Sequence, residues 1–235
     1  MFKVLINSLK KGVTMKYEYK KITVITGYYG CGKTNLAVNL AEDMAKLGSV
    51  TVADMDIVNP YFRTADFKER LENKGIKVVC TEYANTNLDI PVLNFDMESL
   101  INGCDHLIID VGGDDAGAYA LGRYKKIFEK YKDQCEVMYV YSMYRNVNED
   151  ISDTVNTMKE IEKASGLKCT VLVNNSNLGC ETDSKVFERS MDYSREMEKE
   201  SGLKHAFHCI PKGMKTDDIE NFFPVERMVK AVWEE

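Results

Sequence analysis

The stretch that most constrains the fold is "ITVITGYYGCGKTNLAVNLAEDM", residues 22–44. A β-branched, apolar run enters a glycine-rich turn, and the turn opens into residues of helical spacing. Gly27–Thr34 fit G-x-x-x-x-G-K-[ST], a motif that carries meaning only between a strand and a helix, its setting here. Such a loop turns the backbone N–H groups of Gly30, Cys31, Gly32, Lys33 and Thr34 toward anionic oxygens, helped by the amino end of the helix. Gly32 allows close backbone approach. Lys33 is placed to reach the terminal phosphates of a nucleotide, and the Thr34 hydroxyl to ligate Mg²⁺. Gly27, Tyr28, Tyr29 and Asn35 complete the candidate contacts to the nucleotide. The two tyrosines are bulky where such loops are often small or basic, so they cover the phosphates, pack on a partner, or fill space against a neighbouring loop.

The alternation continues down the chain. Strands are predicted at 22–26, 50–54, 76–80, 106–110, 136–142, 170–174 and 205–210, as nearly unbroken apolar runs suited to cover on both faces. Helices are predicted at 34–47, 65–74, 148–164, 184–200 and 225–233, several stopping at a glycine. This implies an α/β fold, a doubly wound and mostly parallel sheet of about seven strands with helices on both faces. The 235 residues suit one such domain over 21–235, preceded by a basic tail at 1–20. Residues 1–21 hold six lysines and one acid, and Met15 offers a second start. The irregular segment 81–97 lies at a strand's carboxyl end, where α/β proteins place ligands.

Two further acidic stretches join the loop. "VADMDIVNPYFR" puts Asp54 and Asp56 at the end of the second strand, where carboxylates hold Mg²⁺ and its waters and orient an attacking water. "HLIIDVGGDDAG" ends a strand on Asp110, positioned for the metal, with a mobile Gly112–Gly113 turn and Asp114 within reach of the attacking water. Both stretches have a plainer reading as helix caps and solvated loop carboxylates. Arg63, after "NPYF", is a candidate phosphate clamp, and Arg145 a second cation for the same cleft.

"GYYGCGKT", "DMDIVN" and "IIDVGGDDAG" together resemble the MinD/ParA class of P-loop ATPases, which includes the nitrogenase iron protein and the CobQ/CobB-type domains. The resemblance runs from about residue 20 to 212, and it is similar more narrowly to bacterial ATP-binding proteins of no clear assigned role. It implies ATP and Mg²⁺ as cofactors, Asp56 as the residue that positions water, Asp110 as the metal-facing acid, and Asn174 (or Asn175) as the reader of adenine. "CIPKG" at 209–213 resembles the loop that closes over the base. The class carries a signature lysine where this chain has Tyr28, which weighs against a lysine-bridged dimer. The cluster cysteine of the iron protein falls on Gly117, which weighs against an iron–sulfur centre.

Bulk properties bound the partners. Net charge is −6, which disfavours nonspecific nucleic-acid binding and anionic membranes, and no stretch reads as a membrane span. Seven cysteines with no C-x-x-C pair read as reduced thiols and a cytoplasmic setting. His205 and His208, three apart in a strand, are expected on opposite faces. The expected function is an ATP-binding switch and slow hydrolase, monomeric or a nucleotide-dependent homodimer, acting on an unidentified protein partner. The alternatives are an ATP-dependent small-molecule enzyme of the dethiobiotin synthetase or CobQ type, a metallocentre-maturation ATPase, and a module that binds without hydrolysing.

Overall fold

The computed structural model describes residues 17–56, 64–80, 95–145, 150–214 and 221–228, with every side chain among them except those of Ala65 and Cys180. Arg63 and residues 81–94 of the irregular segment lie outside these ranges. Eight strands are described: β1 (Ile22–Thr26), β2 (Val50–Met55), β3 (Lys77–Val79), β4 (His106–Val111), β5 (Cys135–Tyr141), β6 (Val171–Asn174), β7 (His205–Pro211) and β8 (Phe222–Val225). They form one sheet in the order β3-β2-β4-β1-β5-β6-β7-β8, and every pairing is parallel.

The helices are α1 (Lys33–Met44), α2 (Lys68–Glu72), α3 (Met97–Asn102), α4 (Asp115–Gly122), α5 (Lys125–Lys130), α6 (Ile151–Ser165) and α7 (Ser184–Ser201). Strand alternation divides the core between the two faces. Val24, Ala53, Ile109 and Tyr139 face α3 to α7, while Ile25, Val52, Ile108 and Val140 face α1 and α2. The long helices begin and end where local chemistry directs. Asp150 and Asp183 cap the first turns of α6 and α7, and Gly166 and Gly202 close them in the left-handed conformation, φ 66° and 73°.

Three expectations change. An eighth strand exists, and Val225 belongs to it rather than to a terminal helix. β8 stands at the edge of the sheet, where the missing N–H of Pro224 is tolerated. Beyond it the chain folds back onto α1. Asn39 donates to Glu226 O (2.9 Å) and accepts from Glu226 N (2.8 Å), and Asn35 Oδ1 accepts from Met228 N at 2.8 Å.

His205 and His208 share a face. The pairing of β6 with β7 skips Ala206, so this bulge shifts the alternation by one residue. The two rings stack with centroids 4.7 Å apart, and His205 bridges Glu198 (3.1 Å) and the Tyr141 hydroxyl (2.6 Å). Burial, then the neighbouring His205 charge, lowers His208 to about 4.

The packed chain also begins before residue 21. The Tyr17 ring meets Phe207 edge-on at 5.6 Å while its hydroxyl donates to Glu136, and Tyr19 donates to Asp43 at 3.1 Å. Among the described residues no helix is long and apolar enough to cross a membrane.

Candidate nucleotide site

The loop between β1 and α1 is shaped by its neighbours on two sides. Gly27 (φ 144°) runs so close to β5 that a Cβ there would stand 2.1 Å from Val140 O, a backbone atom. Gly32 (φ 85°) begins α1 in the left-handed region, and a Cβ there would stand 2.3 Å from Asn175 Nδ2. That nitrogen donates to Cys31 O at 2.7 Å, tying the loop after β6 to the phosphate loop. Lys33 is buried, and its ammonium donates to Tyr28 O at 3.1 Å. Burial pushes the Cys31 thiol up, so it is an inert packing group.

The acids stand on the other side, and register explains why. Asp54 and Asp110 are direct neighbours on β2 and β4. Each follows by two an apolar residue facing α1 (Val52 and Ile108), so both carboxylates point to that face, beside Thr34. The hydroxyls of Thr34 and Thr64 both donate to Asp110 Oδ2 at 2.8 Å. Asp110 Oδ1 is buried and, among the described residues, has no hydrogen-bond partner. Burial raises the Asp110 carboxyl to about 6; the two threonine hydroxyls and the Lys33 charge oppose that shift, and Asp56 adds to it.

A buried carboxylate oxygen left without a hydrogen-bond donor can accept a cation instead. Among the described residues no group of three or more His, Cys, Asp or Glu could hold a metal alone. Hard oxygens in small number suit Mg²⁺, which takes one or two carboxylates and draws its other ligands from water and phosphate. Thr34, Asp54 and Asp110 fit that donor set.

Asp56 and Asp114 close the acidic flank. Asp54 Oδ1 accepts from Asp56 N at 3.0 Å. Asp114 caps α4 by accepting from Gly117 N at 2.8 Å, so the expected water-facing acid also holds a helix start. Gly112 passes between them: a Cβ there would lie 3.1 Å from Asp56 Oδ1 and 3.2 Å from Asp114 Oδ1. Gly113 rests on the phosphate loop, with a Cβ position 2.7 Å from Lys33 Nζ and 2.9 Å from Tyr29 N. The Tyr29 hydroxyl is raised to about 12, by burial and then by Asp114 and Asp56. Tyr28 and Tyr29 meet edge-on at 5.9 Å and are 38% and 42% exposed, with Tyr29 against the turn that carries Gly113 and Asp114.

The structure gathers Lys33, Thr34, Asp54, Asp56, Asp110 and Asp114 around one turn. It does not bring Asn174 there. The Asn174 carboxamide lies buried, donating to Ser190 and accepting from Ser176 N at 3.0 Å. Asn175 is the strand-end residue that touches the loop. Asn35 spends its side-chain oxygen on Met228 N. Sequence reasoning missed Thr64, which no periodicity marks, and the contact of Gly113 with Lys33, which depends on how the turn after β4 lies.

Neither a protein-family model nor a curated protein matches the chain. Solved structures do. The FtsY cell division protein of Thermotoga maritima aligns with TM-score 0.53 and 20% identity, over 88% of this chain and 66% of that one. FtsY of Mycoplasma mycoides gives 0.56 and 18%, over 90% and 67%. The signal recognition particle 54 kDa protein of Aeropyrum pernix, in complex with GDP, gives 0.51 and 17%, over 81% and 41%. The chain has the P-loop NTPase fold. At these identities the likeness is one of fold, and the chain spans about two thirds or less of those proteins.

Proposed function

We propose that this chain is a Mg²⁺-dependent ATP-binding protein of the MinD/ParA-like kind, a slow hydrolase whose nucleotide state is read by a partner. The observation that carries the proposal is Asp110: a buried carboxylate bonded through one oxygen to Thr34 and Thr64, its other oxygen without a partner among the described residues. A carboxylate kept in that state at the mouth of a phosphate loop has its use in the liganded protein. Thr34, Asp54 and Asp110 would hold Mg²⁺, which would neutralise phosphate charge.

The chain's own residues do the rest. Lys33 exchanges Tyr28 O for phosphate oxygens. Asp56, fixed at its backbone by Asp54, orients the attacking water. Asp114 and Gly113 couple the turn after β4 to the phosphate loop, giving a partner something to sense.

The choice of adenine rests on chemistry at the loop after β6. Residues 174–179, "NNSNLG", contain no carboxylate to accept the two donors of a guanine edge. Asn175, beside Cys31, takes the place first expected of Asn174. With Tyr28 where the resembling class has its lysine, a second copy of this chain has no such lysine to give, which favours a monomer.

Replacing Asp56 with alanine tests the proposal. ATP turnover is expected to fall by about 10²-fold or more while ATP affinity holds. Undiminished turnover would remove Asp56 from the mechanism.

A further inference from the structure

We infer that Arg145 is a phosphate-binding residue of this site, supplying from the turn after β5 the second positive charge that the loop itself lacks. The inference rests on the nucleotide reading above and adds a residue to it.

The placement is built. β5 runs against the phosphate loop at Val140 and Gly27, so the turn that leaves β5 emerges beside the loop. Arg145 N donates to Ser142 O at 3.1 Å, closing that turn. Met143 N donates to the Ser176 hydroxyl at 2.9 Å, fixing the turn to the segment after β6. That segment is tied to the phosphate loop through Asn175 and Cys31. Arg145 thus leaves a frame held from both sides.

Its side chain then passes Gly30, with Cδ 3.9 Å from the position a Cβ of Gly30 would take. Gly30 is a residue whose N–H belongs to the phosphate cradle. Among the described residues the guanidinium has neither an ion pair nor a hydrogen bond, although the protein carries many acids. The four site carboxylates, Asp54, Asp56, Asp110 and Asp114, cluster on the flank of β2 and β4.

The charges of the site are therefore divided. The acidic flank suits a cation, while the flank along β5 carries a guanidinium that has no acidic partner among the described residues and lies beside Gly30 of the loop. Even with Mg²⁺ on the acidic flank, a polyphosphate entering beside four carboxylates is stabilised by positive charge further to that of Lys33. Guanidinium matches phosphate in a bidentate way, and a pair formed at a loop already ordered by its neighbours loses little entropy. An ordinary surface arginine would make no distinction between phosphorylated and unphosphorylated ligands.

The test uses the full chain with Mg²⁺ and titration calorimetry against a non-hydrolysable ATP analogue, ADP and adenosine. Arg145→Gln is expected to weaken the analogue and ADP by about 10- to 100-fold, leave adenosine unchanged, and leave the thermal midpoint unchanged. Arg145→Lys is expected to recover part of the loss. Unaltered affinities in Arg145→Gln, with tight binding by the wild type, overturn the inference alone. An equal loss for adenosine and the analogue also overturns it, since the effect would then not be on phosphate. A wild type that binds none of the three overturns the nucleotide reading and this inference with it.

Discussion

Replacing Asp110 with asparagine separates what the site costs the fold from what it does. Asp110 is 1% exposed, and its carboxyl is raised from 3.8 to about 6, first by burial. A folded-state value above the unfolded one means the folded protein binds the proton more tightly. Stability therefore falls as pH rises from about 4 to about 6, and the loss is complete above that range. Near neutral pH the metal-free protein therefore carries the cost of an ionised, buried carboxylate, on the order of a few kcal/mol.

Asparagine removes the charge and leaves an amide oxygen for the Thr34 and Thr64 hydroxyls. In EDTA at about pH 8 the variant is expected to be more stable than the wild type by about 2–3 kcal/mol, or about 4–12 °C in thermal midpoint. At about pH 4 the gain should vanish, because the wild-type carboxyl is then itself protonated. Mg²⁺ with nucleotide should raise the wild-type midpoint more than that of the variant. The assay is thermal unfolding by circular dichroism at both pH values. An Asp110→Asn protein less stable than wild type at both would refute the argument that an uncompensated charge is buried there.

Three other substitutions or conditions follow from the geometry. Gly27→Ala drives a Cβ to 2.1 Å from Val140 O, a backbone atom that cannot swing away, so a loss above about 3 kcal/mol in urea unfolding is expected. Asn39→Ala removes both hydrogen bonds to the Glu226 backbone and should cost about 1–3 kcal/mol in the same measurement, with proteolysis beginning near the carboxyl end. Glu198 is raised by burial, but Lys204 and His205 overcome this and hold it at about 2. Its contribution is present above the usual 4.5 and is lost as pH falls through about 2, so Glu198→Gln should narrow its gap to wild type across that acid range.

Much of this was legible in residue order, for reasons that are local. A strand, a glycine turn and a helix in succession leave little freedom, and β1 and α1 stand where the motif required. Two-residue alternation carried Asp54 and Asp110 to the α1 face once β2 and β4 were neighbours. What escaped depended on information that period and propensity do not hold. "FFPV" is too short and too interrupted by Pro224 to read as a strand, and only the edge position makes it one. The bulge at Ala206 reverses the facing of His205 relative to His208 without any sequence mark. Thr64 joins the site through tertiary contact, as does Asn175, which the sequence offered only as second choice. The distinction between Asn174 and Asn175 is one residue of alternation at a strand end, where regular geometry has already ceased.

The central claim is that nucleotide binds at this loop through Mg²⁺ held on the Thr34 and Asp110 side. Titration calorimetry with a non-hydrolysable ATP analogue, in Mg²⁺ and in EDTA, tests it most directly. Strong binding is expected in Mg²⁺, weakened by about 10-fold or more in EDTA, with that dependence abolished in Asp110→Asn. Equal binding with and without Mg²⁺, or a metal dependence that survives in Asp110→Asn, would contradict it.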